Sequence, residues 1–191
     1  MEVFEAIKGR RSVRSYKPDK VEEEKLVKVL EAARWAPSWA NTQCWRFVVV
    51  KDKETKAMLA ETLPEGNRGK KALLETPIVI ALCAERGLSG FIKGKPGSDK
   101  GDWWFMFDAA LAAQNLTLAA YALGLGTLHI GWFDAKKAAE ILNVPHGYEV
   151  VELILLGYPG ERPKPTSRKG LDEIVFAERF GQPYHLTAAS P

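Results

Sequence analysis

The chain is poor in the residues that usually announce a chemistry. It has two cysteines, Cys44 and Cys83, and three histidines, His129, His146 and His185, in 191 residues. Two thiols are too few for a disulfide framework or a cysteine-rich zinc site. No histidine stands beside an acid or thiol at ligand spacing and no serine sits in a nucleophile elbow, which argues against a metal site or a triad hydrolase. Charge of one sign is also lacking: 27 basic against 24 acidic residues leave a formal charge of +3, too little to require a polyanion, so no nucleic-acid partner is expected. An RNA-binding module would rest on local charge alone, at Arg10, Arg11, Arg14 and Lys17. One long apolar run exists, Trp103 to Leu123, but Asp108, Gln114, Asn115 and Thr117 interrupt it and no second run could satisfy them in lipid. It reads as a central helix surrounded by protein, and no membrane association is expected. The charged Met1-Glu2 opening and the sparse cysteines fit a reducing, cytoplasmic setting.

What is present is an ordinary globular composition, 46% hydrophobic, which suits a single domain over residues 1–191. Val3, Phe4 and Ile7 have helical spacing that Gly9 should end. Asp19 and Glu22 read as a capping pair for a helix through Leu26, Val27, Leu30 and Ala33, stopped by Pro37. Strands are expected at Trp45 to Lys51, Pro77 to Ala84, Thr127 to Gly131 and Tyr148 to Gly157, with helices at Lys53 to Thr62, Trp103 to Leu123 and Ala135 to Leu142, the last capped by Asp134. Glu85 to Asp102 is glycine-rich and polar, a long flexible loop of the kind that covers sites. Past Tyr158-Pro159-Gly160 comes an extended basic arm with Arg162, Lys164 and a short strand at Glu173 to Ala177. Such an arm cannot offset its ordering entropy alone and should pack onto something, such as the sheet of a second subunit. The order of elements predicts a sheet covered by helices on both faces.

Two glycine patterns fail as nucleotide motifs. Gly124-Leu125-Gly126 follows a helix and opens a strand, the reverse of a dinucleotide fingerprint. Gly90 to Gly94 with Lys95 is one residue short of a phosphate loop and has Pro96 where a hydroxyl is needed. A chain without nucleophile, metal site or acid–base pair can still catalyse if a cofactor carries the chemistry. Two polar clusters could bind one. Arg10-Arg11-Ser12-Val13-Arg14 places guanidinium and hydroxyl groups where they can converge on an anion if the chain is extended. Pro37-Ser38-Trp39-Ala40-Asn41-Thr42-Gln43 offers amides and hydroxyls to the edge of a flat ring, on a proline-entered loop.

These stretches, in this order, resemble the FMN-dependent nitroreductase family over nearly the whole chain. The resemblance implies an α+β fold of three α/β/α layers, with a mixed, largely antiparallel sheet flanked by helices and a C-terminal arm adding a strand to the partner subunit. It implies a homodimer with FMN at the subunit interface. In it, Arg10 and Ser12 would hold the phosphate and ribityl chain, with Arg11 beside them, and Arg14 would reach the pyrimidine side. Pro37, Ser38, Trp39, Asn41 and Gln43 belong to a loop that would contact the flavin bound mainly by the other subunit. Gly124 to Phe133 is similar to the strand beside the ring, which implies Ile130 and Gly131 near its reactive edge. Gly157-Tyr158-Pro159 followed by Arg168 resembles the segment that returns a basic residue to the phosphate. Cys44 departs from the family's usual proline, and Thr166 from a frequent basic residue, leaving Lys164 or Lys169 as substitutes. Asn67 and Lys70 have the spacing of a further flavin-contacting pair but sit in a slipped alignment, and are set aside. The implied activity passes reducing equivalents from NADH or NADPH to nitroaromatics, quinones or similar acceptors through the flavin, with no catalytic side chain and no metal. Trp39, Phe91, Trp103 and Trp104 are candidate walls for an aromatic acceptor. Related flavin reductase, dehalogenase or enone-reductase activity, and a non-catalytic flavin-binding protein, are the alternatives.

Overall fold

A computed structural model describes residues 1–185. A four-stranded antiparallel sheet runs in the order β1 (Trp45–Val50), β2 (Ile78–Glu85), β6 (Tyr148–Gly157), β5 (Gly126–Ile130). Six helices frame it: α1 (Val3–Gly9), α2 (Glu23–Arg34), α3 (Lys53–Ala60), α4 (Gly69–Glu75), α5 (Trp104–Ala122) and α6 (Ala135–Ile141). A strand's side chains alternate between its two faces, and the core divides accordingly. Ile78, Ile80, Leu82 and Ala84 of β2 pack with Leu26 and Val29 of α2 and Ala112 and Leu116 of α5. Val79, Ala81 and Cys83 join Leu59 of α3, Leu73 of α4 and Ala138 of α6 on the other side. Because both faces are covered, β2 is a continuous apolar run rather than an alternating one. The result is the expected α+β sandwich of three layers, and α5 is buried between sheet and helix rather than in lipid. No helix among the described residues is long and apolar enough to cross a membrane.

The sheet is mixed only at its rim, where Ser12 forms a parallel bridge to Thr127 and Val13 N–H donates to the Thr127 carbonyl at 2.9 Å. Edge strand β5 is fastened to both neighbours by His129. Its Nε2 meets the Thr117 hydroxyl of α5 at 2.8 Å and its Nδ1 meets Glu152 of β6 at 2.8 Å. Sequence spacing had left His129 without an acid; cross-strand neighbours supply one. Thr117 is fully buried, so this chain of groups offers no accessible nucleophile.

Four expectations need correction. The second helix begins at Glu23, with Glu22 still extended, because Val21 is drawn into the core, so Asp19 caps nothing. Segment 85–102 is not a loop without structure of its own. It contains a hairpin of β3 (Phe91–Ile92) and β4 (Lys95–Pro96), closed where Asp102 accepts from the Arg86 guanidinium and, at 2.9 Å, from Gly87 N–H. Residues 173–177 start in a helical turn, α7 (Leu171–Ile174), with the Gly170 N–H donating to Glu173 at 2.8 Å and acids in the first turn favouring that end. Helix α4 lies where no element was expected, its two neighbouring lysines masking the apolar Ala72 and Leu73.

Candidate functional site

The basic cluster lies on an extended segment beside the sheet edge. Gly126 makes this approach possible, since a Cβ there would lie 2.8 Å from Val13 Cγ2. Following Ser12 and Val13 along β5, Arg14 arrives opposite the end of that strand, where Ile130, Gly131, Asn67, Arg68 and Trp132 line with it a cavity of about 190 Å³. Asn67 shapes this wall by donating to the Trp132 carbonyl at 2.9 Å and accepting from Gly69 N–H at 2.8 Å. Lys70 is turned to Glu61 at 3.1 Å and is not among the lining residues.

At the other end of the segment, Arg10 is half-buried at the end of α1. The chain that leaves β6 returns here: Lys17 N–H donates to the Tyr158 carbonyl at 2.9 Å, Gly160 N–H to Ser15 at 2.8 Å, and Arg14 N–H to Glu161 at 2.5 Å. That return brings Arg168 close enough to act on Arg10. Burial first, then the positive charges of Arg11 and Arg168, hold the Arg10 guanidinium below its ordinary pKa. Among the described residues, none of Arg10, Arg11, Arg14 and Arg168 is in an ion pair. Arg11 donates to the carbonyls of Lys8 and Arg10 at 2.6 and 2.8 Å, and Arg168 to the Thr166 hydroxyl at 2.6 Å. Glu161 lines the cavity of Arg10 and Arg11 but is held by a backbone amide rather than by a guanidinium, so the guanidinium groups keep their charge for an anion.

The second cluster forms a tight turn at the head of β1. Trp39 to Asn41 make one 3-10 turn, and Ser38 Oγ accepts from Gln43 N–H at 2.9 Å, closing the loop on itself. Pro37, Asn41 and Gln43 are exposed. Trp39 leans on Trp104 with ring centroids 4.7 Å apart, and Trp104 meets Phe107 edge-on at 5.3 Å. The hairpin sits on this stack: Trp104 Nε1 donates to Ser98 Oγ at 2.9 Å, and a Cβ at Gly97 would touch Trp39 at 3.2 Å. Trp103 is exposed and outside the stack, and Phe91 belongs to β3.

Within one chain the structure therefore brings Arg14 to Ile130 and Gly131, and Arg10 to Arg11 and Arg168. It does not bring the 37–43 loop to either group: the cavities that Arg10, Arg11 and Arg14 line include no residue of that loop. Asn67 joins the Arg14 cavity although the sequence reading set it aside; its spacing to Lys70 was the signal, and the helix that makes sense of it was invisible.

The chain is thus a two-sided α+β sandwich with a basic sheet rim. The sequence profile of the nitroreductase family matches residues 7–158. A Methanothermobacter thermautotrophicus protein provisionally named an NADH dehydrogenase/NAD(P)H nitroreductase is 35% identical over 85% of this chain and 80% of its own length. The FMN reductase [NAD(P)H] of Bacillus subtilis is 26% identical over 98% of this chain and 78% of its own. Among solved structures, an FMN-dependent nitroreductase of Clostridium difficile superimposes with a TM-score of 0.76 at 34% identity, covering 93% of this chain and 99% of that one. The chain belongs to the nitroreductase family.

Proposed function

We propose that this chain is an NAD(P)H-dependent oxidoreductase that binds FMN and delivers reducing equivalents to nitroaromatics, quinones or similar electron-poor acceptors. It acts as one flavin-binding domain over residues 1–191, in a cytoplasmic homodimer with FMN at the subunit interface. The observation that carries this reading is the pairing of a guanidinium cluster that forms no ion pair among the described residues with a cavity at the end of β5, both reached by one extended segment. Relatives named for NAD(P)H and for FMN support it.

The residues fit the group. Arg10 and Arg168 supply charge and donors for a phosphate, with Arg11 and Ser12 alongside. Arg14 and Asn67 flank a space bounded by the Ile130–Gly131 backbone, where a polar ring edge would find both donors and acceptors. When bound, FMN would supply the two-electron chemistry that no side chain here offers, taking electrons from NADH or NADPH. Arg14 would favour the more negative, reduced form by its fixed positive charge. The Trp39–Trp104–Phe107 stack and the hairpin would form an apolar wall suited to a planar acceptor. The partner supplies the 37–43 loop that one chain does not bring to its own basic cluster. Exposed Phe4 and Ile7 on α1, and Met106 and Phe107 on α5, give an apolar surface suited to that partner.

The absorbance spectrum of purified protein tests the reading. A yellow protein bleached by NADH or NADPH under anaerobic conditions, and recoloured by a nitroaromatic or quinone, is expected. A colourless protein that takes up no added FMN refutes it, and bound FMN that neither nicotinamide reduces would identify a flavin carrier instead.

A further inference from the structure

The 37–43 loop is strained. Ala40, Asn41 and Gln43 have φ of 44°, 57° and 49°, three residues with side chains in the left-handed region within four positions. That region costs roughly 1–2 kcal/mol per residue, less for asparagine, so the shape persists only if something outside the loop holds it. The holder is Asp108, in the second turn of α5 and 1% exposed. Both its oxygens accept from Trp39 N–H, at 3.1 and 3.0 Å; the Thr42 hydroxyl approaches at 3.5 Å and the Cys44 thiol at 4.0 Å. Each of these donors belongs to residues 39–44. Among the described residues no lysine, arginine or histidine pairs with Asp108.

A carboxylate buried without a cation is an expensive way to fill a helix position whose neighbours are Phe105, Ala109 and Ala112. Packing of α5 on the sheet gains nothing from it. What it does is gather the amide, hydroxyl and thiol of residues 39–44, the stretch in which the Asn41 and Gln43 side chains are exposed. The same loop is tied to the base of the hairpin, since Thr42 Oγ1 lies 2.6 Å from Ser89 Oγ.

We propose that Asp108 is a positioning residue for the flavin site: it fixes the one loop conformation that can reach the flavin across the subunit seam, and so sets flavin affinity without touching the ring. This rests on the function proposed above. The test compares full-length wild type with Asp108→Asn, which keeps the volume and one acceptor but removes the charge. Hydrogen exchange on flavin-free protein reads the loop directly, FMN titration followed by flavin fluorescence reads affinity, and urea unfolding reads global stability. Asp108→Asn should lose amide protection at residues 39–44, keep it in β2 and β6, and bind FMN about tenfold or more weakly, the loss expected from one charge-assisted contact. Thr42→Val removes a loop donor without altering α5 and should shift both readouts in the same direction; it carries the test if Asp108→Asn does not fold. Wild-type FMN binding with unchanged affinity in the variants overturns the assignment, as does unchanged loop protection. Wild type that binds no FMN overturns the functional reading itself, a distinct outcome.

Discussion

Individual side chains divide into those whose role is set by charge and those whose role is set by burial. If the proposed phosphate site is right, Arg10→Ala and Arg168→Ala should each weaken FMN retention by about 1.5–3 kcal/mol, roughly 10- to 150-fold, the loss of one charge-assisted contact. Arg14→Ala should instead lower the reduction potential of the bound flavin, because its charge favours the reduced form; equal potentials in spectroelectrochemical titration would refute that role. Cys83 is governed by burial, which pushes its thiol up to about 11 from an ordinary 9.0. The native thiol therefore keeps its proton at pH values where the unfolded one has lost it. This stability is fully present below pH 9 and falls away as pH rises through 11. Urea unfolding at pH 8, 9 and 10.5 should show a loss that is smaller in Cys83→Ala than in wild type. The arginines were legible in the sequence because three of them, counting Arg11, lie within five positions. Asp108 was legible only as an interruption of an apolar helix, since its meaning depends on Trp39, 69 residues away.

Strands and long helices were legible where periodicity and burial agreed. Residues 148–157 form β6 as expected, and β1, β2, β5, α5 and α6 fall within a residue or two of their expected limits. Errors fell where local composition and tertiary context disagree. Glycines and lysines made 85–102 look mobile, yet Asp102 binds both Arg86 and Gly87, and positive-φ Gly90 fits where a Cβ would lie 2.6 Å from Trp104. Asp102→Ala should open the hairpin, giving proteolytic cleavage within residues 87–101, while its exposed ion pair contributes at most about 1 kcal/mol to global stability. Gly126→Ala should do the opposite, leaving the hairpin closed and forcing the Arg10–Arg14 segment off β5. Weakened FMN binding with normal hairpin resistance is the expected signature, and native FMN affinity would show that the segment tolerates displacement.

At the scale of the whole molecule, the proposed homodimer is what remains to be tested. Apolar side chains on α1 and α5 are exposed, and the loop assigned to the flavin is remote from the same chain's arginine cavities. Sedimentation should give a dimer, and Phe4→Asp combined with Phe107→Asp should yield monomers that have lost FMN; a double variant that still dimerises would place the seam elsewhere. The layered architecture and the family could be read from the linear chain, because periodicity, glycine breaks and clustered motifs are local signals that survive without coordinates. The pairing of His129 with Glu152 and of Asp108 with a strained loop could not. Each joins groups far apart along the backbone, and the contacts exist only once burial and strand register have brought them together.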